Sequence, residues 1–191
     1  EDDVCRCVVG GLNDPALGYD FIGLFLLDEQ TGDRVMRASV GWPEAPDGVY
    51  RVAPGQGLSE RPFRDGRLHY SPVVNNEPSY VSDAPAGGSE IDVPLVIDDH
   101  VLGVLVIESQ HEDAFGQADF EILTAAAQQA AVAITRTRLL ADERQRSNEQ
   151  KALLDTLADL SGELELAPLL RRVLQRAVDL LGVTGGELEL A

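Results

Sequence analysis

The chain has 191 residues, 44% of them hydrophobic, and 33 acidic against 15 basic side chains give it a formal charge of −18. That balance argues against a nucleic-acid partner, and the apolar content supplies a core for one domain and a fraction of a second. The longest apolar run, residues 101–107 (VLGVLVI), is far short of the roughly 20 residues that cross a bilayer, and no charged-then-apolar leader opens the chain, so no membrane partner and a cytoplasmic location are expected.

The helix signal opens the chain, with Val4, Val8 and Leu12 at four-residue steps ahead of Gly18, which reads as a helix over residues 1–17 closed by glycine. Residues 21–28 (FIGLFLLD) are apolar at nearly every position, as a strand covered on both faces would be. Residues 34–40 (RVMRASV) interrupt their apolar positions with charge, the pattern an edge strand tolerates, so these two segments predict a hairpin with one central and one rim strand.

Residues 41–88 are rich in proline and glycine, with a short helix predicted at 59–65 and a short extended piece at 68–71; a stretch this long without periodicity reads as a binding region. Strands follow at 89–97 and 100–109, joined by Asp98-Asp99, and the second is again apolar on both faces. Pro94 cannot donate to a ladder, so its neighbour is expected to end or bulge there. From Gln117 a helix carries the stripe Phe120, Leu123, Ala127, Ala130, Ala131 and Ile134, then continues as a polar segment over 141–151, which has no apolar face to bury and so is expected to project beyond the first core.

Leu153, Leu154, Leu157 and Leu160 restart an apolar stripe, Gly162 interrupts it, and Pro168 opens a further helix ended by Gly182. Leu181-Gly182 followed by Leu188 and Leu190 repeats the spacing of Leu17-Gly18 followed by Leu24 and Leu26, which suggests a second copy of the same domain. With Glu1 as first residue and a strand-like GELELA at the end, the chain reads as a segment of a longer protein.

Three groups of residues together resemble the GAF domain, a sensory fold of signalling proteins. They are Gly55-Gln56-Gly57-Leu58 with Gly66, the loop VVNNEPSYV at 73–81, and above all SEIDVPLVIDDHVLGVLVIES at 89–109 with Ala114-Phe115 and the alanine-rich helix. The resemblance implies an α/β (α+β) fold with an antiparallel sheet of order 2-1-5-4-3. Helices would cover one face and loops plus a short helix the other, with a ligand pocket beneath the loops and a long projecting helix after the sheet. It implies the division 1–140 GAF domain, 141–160 signalling helix, and 161–191 the start of a second GAF domain.

Within the loops Trp42, Phe63, Tyr70, Tyr80 and Asp83 are the groups able to stack on and hydrogen-bond a small planar ligand, or else to fill a small second core. His69, His100 and His111 follow no metal-ligand spacing, so no metal is assigned and the cofactor is left unknown; His69, near the loops, is the best placed of the three. Cys5 and Cys7 are too close in sequence for an ordinary disulfide and cannot easily share one ion, so they read as buried small residues or as an intermolecular bridge. No cysteine lies in the loops, against bilin attachment there and against the thiol chemistry of relatives that reduce free methionine sulfoxide. Gly55-x-Gly57 lacks the third glycine of a dinucleotide loop, the cyclic-nucleotide pattern of some relatives is not found, and no catalytic dyad emerges.

The reading is thus a non-catalytic small-molecule-sensing and dimerisation module of a bacterial signal-transduction protein such as a two-component system. A parallel homodimer would form through the first helix and residues 117–160, and the output would lie outside this chain. A small enzyme of the free methionine sulfoxide reductase kind and a degenerate dimerisation spacer are the alternatives.

Overall fold

A computed structural model describes residues 1–42, 49–81, 88–163 and 166–182. In chain order it contains α1 (Asp2–Leu12), β1 (Phe21–Leu27), β2 (Arg34–Val40), β3 (Arg51–Val52), α2 (Glu60–Asp65), β4 (His69–Ser71), a single 3-10 turn at Val74–Asn76, β5 (Ser89–Ile97), β6 (His100–Ser109), α3 (Gln117–Glu163) and α4 (Leu166–Leu181). The six strands form one antiparallel sheet in the order β3-β2-β1-β6-β5-β4. Without the two-residue β3, this is the expected order 2-1-5-4-3. Contacts divide the chain into two units, Glu1–Leu139 and Leu140–Ala191.

In the first unit, alternation along the central strands sends side chains to two cores. Ile22, Leu24 and Leu26 of β1 join Ile91, Val93 and Leu95 of β5 and Leu105 and Ile107 of β6 in a core closed by α1 and by Leu123, Ala127, Ala130, Ala131 and Ile134 of α3. The small residues of that stripe let α3 approach the sheet closely. On the opposite face Phe25, Met36, Val104 and Val106 form a second core with Trp42, Tyr50, Val52 and Phe63, all from the loop region. Strands apolar on both faces therefore have shelter on both, as the sequence requires.

Three local expectations are corrected. The first helix stops at Leu12, with Asn13 as its cap, and Leu17-Gly18 lies in the following turn. Pro15 explains the stop, because it disfavours helical backbone at Asp14 and has no N–H to donate. The buried stripe of α1 is Cys5, Val9 and Leu12, with Val4 and Val8 half-buried at its margin. The strand at 34–40 is no rim strand over its first two residues, since Arg34 and Val35 pair with Val52 and Arg51. Pro94 itself stays inside β5 opposite Val104, and the neighbouring strand β4 ends before it, as expected, while a register irregularity falls between Leu95 and Val96 on the β6 side. β4 pairs no further along than Asp92, so beyond it the proline interrupts no ladder on that side.

The β5–β6 hairpin closes through Asp98 and Asp99 at φ 47° and 64°, the left-handed pair of a two-residue turn that follows the sheet's twist. Gly88, at φ +111°, is fixed by a close approach: a Cβ there would lie 1.8 Å from the Ser109 carbonyl oxygen.

In the second unit, α3 runs through Gly162 as a continuous helix, and residues 139–157 are exposed along its length. Among the described side chains of α4, Leu170, Leu174 and Val178 are the less exposed, at four-residue steps, and Pro168 sits in the first turn, where a missing N–H costs little. Gly182 follows α4 at φ +63° whereas Gly18 follows a turn, so the two Leu-Gly pairs occupy different contexts. The strand-like Glu187-Leu188-Glu189-Leu190 lies outside the described residues.

Candidate functional site

The loop-side face of the sheet carries the candidate site, because the helix-side face is filled by α1, α3 and their aliphatic and aromatic packing. Trp42 leaves β2 and folds back over β1, where Gly23 provides its seat: a Cβ at Gly23 would lie 2.9 Å from the indole Cζ3. The indole also packs against Phe21, centroids 5.6 Å apart. Tyr50 meets Phe25 edge-on at 6.1 Å. Phe63, on α2, covers Arg34, whose guanidinium carbon is 5.8 Å from the ring centroid.

Between these loops and the sheet is a cavity of about 40 Å³, bordered among others by Phe25, Trp42, Tyr50, Tyr80, Glu90 and Glu108. No basic side chain borders it among the described residues. Its polar wall comes from strand parity. In Ser89-Glu90-Ile91-Asp92-Val93, Ile91 and Val93 enter the helix-side core, so Glu90 and Asp92 face the loops, where they are 5% and 1% exposed. The ladder places Glu90 directly opposite Glu108 of β6 on one side and Ser71 of β4 on the other. Tyr80 donates its hydroxyl to Glu108 Oε2 at 3.3 Å.

Two arginines tie the loops down beside these acids. Arg34, 1% exposed, donates to the carbonyl oxygens of Ala53 at 2.8 Å and Gln56 at 2.5 Å and ion-pairs with Glu60 at 3.2 Å. Arg61 of α2 pairs with Glu77, which also accepts from Ser71 Oγ at 3.5 Å. Burial pushes Glu90 well above the usual carboxylate range, and the charges of Asp92 and Glu108 push it further. Desolvation raises Asp92 to about 7, against lowering by a hydrogen bond from Glu90 and by the charges of Arg34 and Arg61.

Of the residues singled out from sequence, Trp42 and Tyr80 border the cavity, and Phe63 lies in the same loop-side core without bordering it. Tyr70 is on the other face: it packs on Phe115 and Phe120, centroids 6.1 and 5.3 Å away, and donates to Asp113 Oδ1 at 2.9 Å. Asp83 lies outside the described residues. His69 Nε2 is 2.9 Å from Asp65 Oδ2, and no cluster of three or more His, Cys, Asp or Glu side chains suited to a metal ion occurs among the described residues. Cys5 is buried in the helix-side core, its thiol pushed up to about 11 by desolvation, and Cys7 is exposed. Glu90, Asp92, Glu108 and Tyr50 were not singled out from sequence. The signal for Glu90 and Asp92 was the strict alternation at 89–93, which assigns both to the face left for the loops.

An antiparallel sheet with two helices on one face and a loop-capped cavity on the other defines a class of small α/β domains. The model of the family described as GAF domain matches residues 1–135. The chain belongs to the GAF domain family. Among curated proteins it is similar to Protein YtsP of Bacillus subtilis (strain 168), 27% identical over 105 residues, which are 55% of this chain and 62% of that protein. The match thus spans less than two thirds of that relative. Among solved structures it is similar to the GAF domain of a phosphoenolpyruvate-protein phosphotransferase from Coxiella burnetii, with TM-score 0.67 and 23% identity, covering 74% of this chain and 86% of that one. It is also similar to free methionine-R-sulfoxide reductase from Neisseria meningitidis in complex with its substrate, with TM-score 0.64 and 24% identity over 73% of this chain and 83% of that one. Both likenesses are of fold. Among the described residues no helix is long and apolar enough to cross a membrane.

Proposed function

We propose that the chain is a small-molecule-sensing and dimerisation module of a larger signal-transduction protein, with α3 carrying ligand state to an output domain elsewhere. The observation that carries this reading is the cavity between the loops and the sheet, with Trp42 and Tyr80 in its wall. A ligand there touches β1, β5, β6 and the loops at once. Differential affinity for two arrangements of these elements shifts their balance, and a tenfold ratio corresponds to about 1.4 kcal/mol. The partner proposed is a second copy, aligned in parallel through α1 and residues 117–160. An apolar groove of about 470 Å³ between α1 and α3, bordered by Val4, Cys7, Val8, Ala130 and Ala133, supports it.

Trp42 is the single tryptophan of the chain, so its fluorescence reports on this site alone. Screening metabolites against Trp42 emission is expected to find a ligand whose effect disappears when Tyr80 is replaced by Ala. If every ligand found leaves the emission unchanged and binds the Tyr80→Ala variant equally well, the site is misplaced. The reductase alternative is the weaker one. Both cysteines are on α1, and Cys5 packs into the core across the sheet from the cavity, whereas thiol chemistry needs a thiolate beside the substrate.

A further inference from the structure

The three-residue strand β4 is held less by its ladder than by its side chains. It pairs with β5 only through His69–Asp92, Tyr70–Ile91 and Ser71–Glu90, and it lies at the edge of the described sheet. So short a ladder supplies few backbone bonds, and such an element stays docked through what its side chains bind. All three of them bind another part of the fold.

On the helix-side face, Tyr70 packs on Phe120 of α3 and on Phe115 just ahead of it, and its hydroxyl donates to Asp113 Oδ1 at 2.9 Å. The backbone adds a second tie, because the carbonyl of Pro72, directly after the strand, accepts the Asp113 N–H at 2.9 Å. Asp113 is kept at φ 51°, left-handed backbone that a residue other than glycine adopts at a cost and where its surroundings hold it. These contacts fix the connection from β6 to α3 and with it the start of α3.

On the loop-side face, His69 Nε2 reaches Asp65 Oδ2 at 2.9 Å, on the last residue of α2. Ser71, 2% exposed, sends its hydroxyl to Glu77 Oε1 at a long 3.5 Å, and Glu77 is the ion-pair partner of Arg61 on α2. Ser71 also lies opposite Glu90, which borders the cavity. Strand parity brings this about. Neighbouring residues face opposite sides of a sheet, so within three residues β4 joins the loop-side cover to the start of α3. Contacts that share one short ladder are gained and lost together, and whatever fastens one side favours the docked strand and so the other.

We propose that β4 is a two-state strap: docked on β5 it fastens α2 and the start of α3 together, and released it frees both, so that the loop-side cover and the first turn of α3 open as one unit. The coupling stands without a ligand, whereas its use in sensing rests on the loop-side cavity being the ligand site.

The test is amide hydrogen exchange on the whole ligand-free chain. On the helix side the reporters are the N–H groups of Asp113, bonded to the Pro72 carbonyl, and Phe120, bonded to that of Gly116; on the loop side they are Gly66, bonded to Pro62, and Glu77, bonded to Val74. In the wild type these four are expected to share one opening, seen as a common slope of exchange against low concentrations of urea. Tyr70→Phe keeps the ring and removes one hydroxyl bond, and it is expected to speed exchange about fivefold at Gly66 and Glu77 as well as at Asp113. His69→Val keeps a strand-forming side chain and removes the bond to Asp65, and it is expected to speed Asp113 and Phe120 by about the same factor. Tyr19→Phe is the control. Tyr19 donates to Asp119 Oδ1 at 3.0 Å, so its loss loosens the same first turn without touching β4, and only the helix side is expected to respond.

Separate urea slopes for the two sides, or faster exchange confined to the side of each substitution, overturn the strap and leave the loop-side site standing. Gly66 and Glu77 responding to Tyr19→Phe as strongly as to Tyr70→Phe also overturn it, since the whole unit would then be loosening. The urea slopes of the wild type need no variant to fold.

Discussion

Arg34 is the bulkiest fully buried side chain among the described residues, and it begins a strand that sequence alone placed at the rim. Burying a guanidinium costs least where fixed acceptors replace its water; here two backbone carbonyls serve Nη2, Glu60 ion-pairs with Nη1 and Phe63 covers the group, while Nε and Nη1 have no hydrogen-bond partner among the described residues. The result is a post joining the sheet to the loop at 53–56 and to α2. Arg34→Met keeps most of the volume but strands the carbonyls of Ala53 and Gln56. Glu60 is about one-third exposed and can recover water, so the expected loss is at the lower end for a broken buried pair, about 3 kcal/mol in urea unfolding. A loss below about 1 kcal/mol would show that solvent already serves the guanidinium. The acids of β5 are the same problem in reverse, since their side chains are buried before their charge is balanced.

At the scale of elements, the hairpins and their order were legible because β1 and β6 carry no polar face, which forces them to the middle and leaves the other strands outside. Tyr70 was not legible, since in the three-residue β4 a single step of parity decides which face a side chain joins, and only the pairing of Tyr70 with Ile91 fixes it. The end of α1 was readable from Asp14-Pro15, a stronger stop than Gly18. β3 left no signal, because two residues cannot show a period. The β5–β6 turn tests how well the local chemistry is understood. Asp98 and Asp99 tolerate left-handed backbone, but Asn-Gly prefers it, so Asp98→Asn with Asp99→Gly is expected to stabilise the first unit by about 0.5 kcal/mol and to ease the repulsion of adjacent carboxylates. Equal or lower stability by thermal unfolding would mean that the turn is held by something other than backbone preference.

For the whole molecule, charge and the α1–α3 groove pull in opposite directions. Two copies of a chain bearing −18 repel, while Val4, Val8, Ala130 and Ala133 offer each copy apolar surface to cover. The repulsion is long-ranged and is screened over about 8 Å at physiological ionic strength, whereas burial of apolar surface is not weakened by salt. A parallel dimer through this groove is therefore expected to tighten as sodium chloride is raised, read by sedimentation. Cys7 supplies a geometric check, because it borders the groove and is exposed, and two-fold symmetry brings it towards its own copy. Mild oxidation is expected to cross-link wild type but not Cys7→Ser, with Cys5→Ser cross-linking as well as wild type. Val8→Glu places a charge in the seam and is expected to abolish both the salt-strengthened association and the cross-link while the single chain stays folded by circular dichroism. Monomer at every salt concentration, or cross-linking that survives Val8→Glu, would remove α1 from the interface.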